Sequence, residues 1–346
     1  MKVAILGAGS WGLALAELLQ SPQRDVSLWF RRSELADEVV RTRVHPLYLP
    51  QLSLSPKVEV TADLAQACRG ADTIIFAAPT HGLRAVAERV RPLVGQASLL
   101  VSATKGFEPD SALTMTELLA EVLGEGATSK LVALSGPNLA PEVAAHLPTA
   151  AVVAATSQRA RSLAVEWLGA PTWRLYANED PRGVEFAGAM KNVIAIAAGV
   201  CDGLEVGDNA KAAIITRGLS EMTRLGVRAG ANPFTFAGLA GVGDCLATCI
   251  SHLSRNRTLG ERIGRGESPK DAQAETPMVA EGVNASRAVL ILARRYQVEI
   301  PISQAVHAIL FEGTSVADGV RGLMARNLRP ELVPEDIGLR SLPEGN

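Results

Sequence analysis

The sequence predicts an α/β N-terminal domain built on a doubly wound sheet, followed by an all-α C-terminal domain. Three observations carry this. The chain opens on a short apolar run, Val3-Ala-Ile-Leu6, then a glycine turn, then a helical stretch. Strand-like runs and helical stretches alternate from there to Trp173–Tyr176, the pattern of a parallel sheet with helices on both faces. Beyond Asn178-Glu-Asp-Pro181 the alternation gives way to helical periodicity. The domains are therefore placed at 1–180 and 181–332, with a loose tail at 333–346 that carries prolines, glycine and charges.

Gly7-Ala-Gly9-Ser-Trp-Gly12 follows the first strand and opens the first helix, the context that a dinucleotide-binding turn requires. Gly7 permits the tight turn, Gly9 lets backbone approach a pyrophosphate, and Gly12 lets the helix pack on the strand. The helix N-terminus then faces the phosphates. This makes the sheet Rossmann-type. The next strand, Val26–Phe30, ends on Arg31-Arg32. An NAD-specific enzyme places an acidic residue there for the ribose hydroxyls, whereas guanidinium groups suit a 2′-phosphate. NADPH is therefore the preferred cofactor on this reading, with NADH possible. The plainer alternative is two solvent-facing arginines that open a helix. His45-Pro-Leu-Tyr-Leu-Pro50 has too much proline for regular structure and is expected to be a loop.

Further strands are expected at Lys57–Val60, Thr73–Ala77, Ser98–Ala103, Leu131–Ser135, Ala150–Ala154 and Trp173–Tyr176. Helices are expected at Asp63–Arg69, His81–Val90, Leu113–Leu123 and 158–168. Ligands of such sheets bind beyond the carboxyl ends of the strands. Gly7, Arg31, Pro79, Lys105 and Gly136 all fall at such ends.

In the second half, Gly183–Cys201 reads as a helix that is apolar on nearly every side and so belongs in the middle of its domain. Lys191 and Asn192 interrupt it side by side. A buried ammonium needs a counter-charge or a lowered pKa, which makes Lys191 a candidate general base. The alternative is a lysine that snorkels to water. Other polar clusters are Asn209, Lys211 and Arg217 on one helix, Asp244 after the glycine-rich Gly238–Gly243, the cationic turn Ser254-Arg-Asn-Arg257, and Glu281-Gly282. Singly, each reads as a cap, a turn or a surface charge. Together they supply donors for a phosphate, a base, and a carboxylate to orient the base. Asp244 and Asn192 are expected to hold the Lys191 ammonium, with Arg255 and Asn256 on the phosphate. A strand is expected at Val298–Ile302.

Composition excludes several function classes. The chain has 346 residues, more than one hydrophobic core usually serves, and a net charge of −2. Lys+Arg number 34 against Asp+Glu 36, so no global field attracts nucleic acid or an anionic membrane. The four cysteines show no C-x-x-C pairing and read as reduced, packed thiols, with no metal site expected. The N-terminus lacks the apolar region of a signal peptide, and no stretch of about twenty residues is apolar enough to span a bilayer, although 193–201 comes nearest. A cytoplasmic protein is expected.

These residues, in this order, resemble the bacterial NAD(P)-dependent glycerol-3-phosphate dehydrogenases. The matching segments are Gly7–Gly12, Tyr48-Leu-Pro50, Ser102–Gly106, Leu134–Pro137, Gly188–Asn192, Asn209-Ala-Lys211, Gly241–Asp244, Ser254-Arg-Asn256 and Val279–Gly282. The resemblance implies that dihydroxyacetone phosphate and sn-glycerol 3-phosphate are interconverted, supplying phospholipid synthesis, by a homodimer. It implies Lys191 as proton acceptor, and Lys105, Gly136, Asn138, Lys191, Asp244, Ser254, Arg255 and Asn256 as substrate contacts. It implies cofactor contacts at Ser10, Trp11, Arg31, Arg32, Tyr48, Lys105, Ala140, Arg255, Val279 and Glu281, beside Gly7, Gly9 and Gly12. Two positions depart from the family: Asn138-Leu139 stands where Ser or Thr with Phe is usual, and Cys245 where a leucine is usual. Two other readings stay open. One is a β-hydroxyacid dehydrogenase, which the phosphate-suited Ser254-Arg-Asn256 cluster argues against. The other is a dinucleotide-sensing protein without turnover, which the presence of both Lys191 and Asp244 argues against.

Overall fold

The computed structural model describes residues 1–274, 280–327 and 330–331. The chain divides into two compact units, Met1–Glu108 with Leu113–Pro181, and Pro109–Ala112 with the chain from Arg182 onward. Pro109–Ala112 lies within the stretch assigned to the first domain, yet groups with the second unit. Val279 and the tail at 333–346 lie outside the described residues.

The first unit is an eight-stranded sheet in the order β3-β2-β1-β4-β5-β6-β7-β8. Its strands are β1 (Lys2–Leu6), β2 (Asp25–Trp29), β3 (Glu59–Thr61), β4 (Thr73–Phe76), β5 (Leu99–Ser102), β6 (Leu131–Ser135), β7 (Thr149–Ala154) and β8 (Trp173–Asn178). The winding direction reverses between β1 and β4, the switch point at which such sheets take their ligands. Strands β4, β5 and β6 are buried at every residue, because helices cover both faces. Alternate side chains of one strand feed opposite cores. Val3 and Ile5 pack with Leu13 and Leu15 of helix α1 (Ser10–Leu19), while Ala4 and Leu6 pack with Leu83 and Met115 on the other side.

The sheet departs from the expected parallel pattern once: β6 and β7 pair antiparallel, with Ala133 opposite Ala154. The chain between them carries the short helix Ala140–Ala144, which packs on α1 and returns at the same end of the sheet. The next strand therefore runs backwards, since a parallel one needs a crossover to the far end.

The helical unit is built around Pro181–Gly203, whose residues from Gly183 to Ile196 are all buried. Against the expectation that no stretch is apolar enough to span a bilayer, this helix is long and apolar enough to do so. Yet 94% of its apolar window is buried, so that length serves the core of this unit. The helix Arg255–Gly264 crosses it backbone to backbone. A Cβ at Gly199 would lie 2.0 Å from the Arg257 carbonyl oxygen, and one at Gly260 would lie 2.0 Å from that of Ile196. The expected strand at Val298–Ile302 does not form. Val298 N–H returns to Ala293 O at 3.0 Å, and Pro301, whose fixed φ suits a first helical turn, starts the helix Pro301–Phe311. The buried Glu221 carboxylate holds that turn, accepting from Ile302 N at 2.6 Å, Ser303 N at 3.1 Å and Ser303 Oγ at 3.0 Å.

Candidate active site

In the sheet unit the glycine turn is closed where helix meets strand and open where a ligand would come. Gly7 has φ +125°, and a Cβ there would lie 2.8 Å from the Ala77 carbonyl. At Gly12 a Cβ would lie 1.8 Å from Gly7 O, whereas at Gly9 it would meet nothing within 4 Å. Gly9 is also the N-cap of α1, and as a glycine it brings no side chain to cap the helix. An uncapped helix N-terminus behind a bare glycine fits a pyrophosphate. Ser10 and Trp11 head the same helix.

Arg31 and Arg32 follow β2 and are both exposed, with Arg32 at the N-cap of helix α2 (Ser33–Thr42). The loop that follows is ordered by His45. Its Nδ1 accepts from Leu47 N at 3.0 Å and Tyr48 N at 3.1 Å, and its ring lies 5.9 Å from Phe30 and 4.7 Å from Tyr48. Burial, then the charge of Arg32, lowers the His45 pKa and keeps the ring neutral and accepting. The sequence reading gave this segment as a loop carrying Tyr48 as a cofactor contact, and a histidine before proline was the available signal for its order.

At the carboxyl ends of β5 and β6, Lys105 Nζ donates to Gly136 O at 2.8 Å. Asn138 Oδ1 accepts from Trp173 Nε1 at 2.7 Å, and Ala140 begins the short helix that packs on α1. Trp11 and Trp173 form a T-shaped pair, their ring centroids 6.3 Å apart and their planes at 76°.

In the helical unit Lys191 is buried, as its helix predicts. Its Nζ donates to Asp244 Oδ1 and, at 2.8 Å, to Thr248 Oγ1. Thr248 Oγ1 in turn donates to Asp244 O at 2.7 Å, one helical turn back on Asp244–Ile250. Asp244 and Lys191 are 2% and 6% exposed, so each offsets the burial of the other's charge. The glycine-rich approach to Asp244 is a π-helical turn, Leu239–Gly243, in which a Cβ at Gly241 would lie 1.9 Å from Phe236 O.

Two expectations change here. Asn192 is not a partner of Lys191, because successive helix residues point about 100° apart. Its Oδ1 accepts instead from Asn256 Nδ2 at 2.9 Å, and Asn256 Oδ1 accepts from Gly282 N at 3.0 Å. Thr248 takes the place beside Lys191, a residue the sequence reading missed. Its only advance signal was a hydroxyl four positions after the singled-out aspartate, on the same helix face. Secondly, Ser254-Arg-Asn-Arg257 is the first turn of a helix, with Ser254 as its N-cap accepting from Arg257 N at 3.2 Å. Arg255 is exposed on that turn, while Arg257 is buried and bridges to Asp202 at 2.7 Å. Lys211 binds the same Asp202 at 2.8 Å, so that member of the polar cluster braces the helices. Asn209 is exposed, Arg217 donates to Glu331 O at 3.1 Å, and Glu281 opens the helix Glu281–Tyr296, half-buried.

Cys245 occupies its position as a buried thiol 3.9 Å from Cys249. Its hydrogen bond with Cys249, then burial, raises its pKa and keeps it protonated. Among the described residues no group of His, Cys, Asp or Glu is placed to hold a metal ion.

Comparison with known proteins identifies the family. The sequence profile of the NAD-dependent glycerol-3-phosphate dehydrogenase N-terminus matches residues 2–161, and that of the C-terminus of the same proteins matches 180–321. A Streptomyces coelicolor protein named glycerol-3-phosphate dehydrogenase (NAD(P)+) is 45% identical over 96% of this chain and 98% of its own length. A Geobacter sulfurreducens protein of the same name is 45% identical, over 95% and 98%. The crystal structure of glycerol-3-phosphate dehydrogenase from Coxiella burnetii superposes with a TM-score of 0.89 at 37% identity, covering 94% of this chain and 99% of that one. With both halves of the chain matched in order and the fold shared along its length, the chain belongs to the NAD-dependent glycerol-3-phosphate dehydrogenase family.

Proposed function

We propose that the chain is an NAD(P)-dependent sn-glycerol-3-phosphate dehydrogenase, interconverting dihydroxyacetone phosphate and sn-glycerol 3-phosphate. The observation that carries this is Lys191. An ammonium has three N–H donors. Asp244 and Thr248 take two of them, which leaves the third without a partner among the described residues. That hydrogen goes to the ketone oxygen of dihydroxyacetone phosphate, and in the opposite direction the neutral amine takes the proton of the hydroxyl. Asp244 keeps the charged form of Lys191 stable in a buried place, and Thr248 fixes its direction. The bound nicotinamide cofactor supplies or accepts the hydride.

Gly7, Gly9, Ser10, Trp11 and Gly12 would hold the pyrophosphate, Arg31 and Arg32 the 2′-phosphate of NADPH, and Tyr48 and Ala140 the flanking parts of the cofactor. We assign Val279 and Glu281 to the cofactor as well. Lys105, Gly136, Asn138, Ser254, Arg255 and Asn256 serve the substrate, with Lys105 and Arg255 also reaching the cofactor. Exposed Arg255 is the phosphate grip, while Asn256 acts with one amide hydrogen left after its bond to Asn192. We place the enzyme in the cytoplasm as a homodimer that supplies glycerol 3-phosphate for phospholipid synthesis. The test is spectrophotometric: NADPH absorbance should fall on adding dihydroxyacetone phosphate and should stay level with β-keto acids. Turnover of the keto acids alone would move the assignment to a β-hydroxyacid dehydrogenase, and no turnover of either would leave a dinucleotide sensor.

A further inference from the structure

We infer that Trp173 is a positioning residue for substrate recognition: its indole turns the Asn138 amide so that the NH2 group, and not the carbonyl, meets an acceptor oxygen of the substrate. The inference rests on the proposed function, in which Asn138 serves the substrate.

An indole N–H can only donate. The Asn138 atom 2.7 Å from Trp173 Nε1 is therefore the oxygen, and the amide cannot flip without losing that bond. The indole itself is held. Trp173 is 1% exposed, lies in the core at the start of β8, and meets Trp11 in a T-shaped pair at 6.3 Å. With its oxygen committed, Asn138 is left with Nδ2, which is enclosed and has no hydrogen-bond acceptor among the described residues. An enclosed donor in that state carries an uncompensated desolvation cost, which an arriving acceptor recovers.

The surroundings match such an acceptor. A Cβ at Gly136 would sit 3.2 Å from Asn138 Nδ2, so glycine leaves room there, and Gly136 O holds the Lys105 ammonium at 2.8 Å. An ammonium and an oriented NH2 both donate, and a phosphate or hydroxyl oxygen is what they fit. The departure from Ser or Thr at this position acquires a reason. A hydroxyl can turn to donate or accept wherever it stands, whereas an amide must be oriented, and Trp173 orients it.

The test is a cycle of Asn138→Ser, Trp173→Phe and the double variant. Phenylalanine keeps an aromatic ring and removes the donor. Trp173→Phe alone should raise KM for dihydroxyacetone phosphate about tenfold, the effect of one hydrogen bond. It should leave kcat and KM for NADPH within about twofold. In the Asn138→Ser background the same change should move KM less than about twofold, since a hydroxyl needs no such guide. Equal losses in both backgrounds would mean that Trp173 only supports the fold. A shift in KM for NADPH alone would mean that the amide faces the cofactor, and either result overturns the inference.

Should Trp173→Phe fold poorly, Asn138→Asp keeps an acceptor for the indole but loses the NH2 donor. Its KM for dihydroxyacetone phosphate should rise by more than about tenfold with Tm maintained, and an unchanged KM would overturn the inference. Failure of the functional reading looks different, because the unmodified enzyme would then not oxidise NADPH with dihydroxyacetone phosphate at all. The hold on the amide is read without turnover from the Trp173 indole proton resonance. It should move upfield in Asn138→Leu, and an unmoved resonance would show that no such bond exists.

Discussion

A Cβ added at Gly9 would meet nothing within 4 Å, whereas one added at Gly282 would lie 2.7 Å from Asn192 O and 2.8 Å from Asn256 Oδ1. The first glycine keeps a space empty beside an uncapped helix end. The second lets a helix start press against the asparagine pair next to Lys191. The sheet unit thus prepares for its ligand by leaving backbone bare, and the helical unit by closing packed side chains around one amine. Substitutions should therefore separate ligand affinity from stability in the sheet unit, and should couple chemistry to packing in the helical unit.

The strongest way to break this contrast is Lys191→Ala. It should lower kcat by about 10²–10⁴ while leaving NADPH affinity within about twofold. Tm should fall as well, because the buried Asp244 loses the opposite charge of Lys191. A variant retaining more than about a tenth of the parent kcat would remove Lys191 from the chemistry.

Next come two substitutions in one turn. Gly12→Ala puts a methyl 1.8 Å from Gly7 O and should cost about 3 kcal/mol of stability, visible in denaturant titration. Gly9→Ala has open space and should keep the parent midpoint while weakening NADPH binding about tenfold or more. Similar midpoints for both would contradict the division of roles within the turn.

Glu221 shows what a buried carboxyl does in the helical unit apart from the reaction. Burial pushes its pKa up to about 7 from 4.5, against the lowering effect of the Ile302 and Ser303 donors. A carboxyl raised in the folded state favours folding most below its ordinary pKa, and that contribution fades as pH rises through the folded value. The stability of the parent relative to Glu221→Gln should therefore decline by about 2–3 kcal/mol between pH 4.5 and 7. A difference that stays flat over this window would show the group to be ionised throughout.

Replacing both Arg31 and Arg32 by serine should cut kcat/KM for NADPH about ten- to a hundredfold and barely alter that for NADH. Equal losses would assign the pair to the fold, and a parent enzyme already favouring NADH would sink the 2′-phosphate assignment. The smallest effect is expected from Thr248→Val, which removes one hydrogen bond to Lys191. A fall in kcat of about tenfold with unchanged KM for NADPH should follow, and a full rate would leave Asp244 as the sole guide of the amine.

What was legible in the sequence was local. Gly7, Gly9 and Gly12 announce their turn because strand, turn and helix are contiguous, and Lys191 stands out because few charges occur in so apolar a helix. The antiparallel β7 was not legible, since strand direction depends on where the Ala140–Ala144 helix docks and not on the composition of β7. Nor was Thr248, whose meaning depends on Lys191 more than fifty positions away. Val298–Ile302 misled because a short apolar run suits a strand or a buried helix start, and the deciding partner, Glu221, is remote in sequence.

The glycine crossing between Pro181–Gly203 and Arg255–Gly264 has a kinetic consequence. Glycines at 199, 203, 260 and 264 weaken both helices in isolation, while the close seat they create rewards them only once both are present. The long helix should therefore be incompletely formed until the later one has docked, so that the seating joins chain segments far apart in sequence. The helix that carries Lys191 would become rigid only once Arg255–Gly264 has docked on it. In stopped-flow refolding, Gly260→Ala should slow the phase in which the helical unit forms and leave the phase in which the sheet forms unchanged. A uniform slowing of both phases would mean that the two units form together.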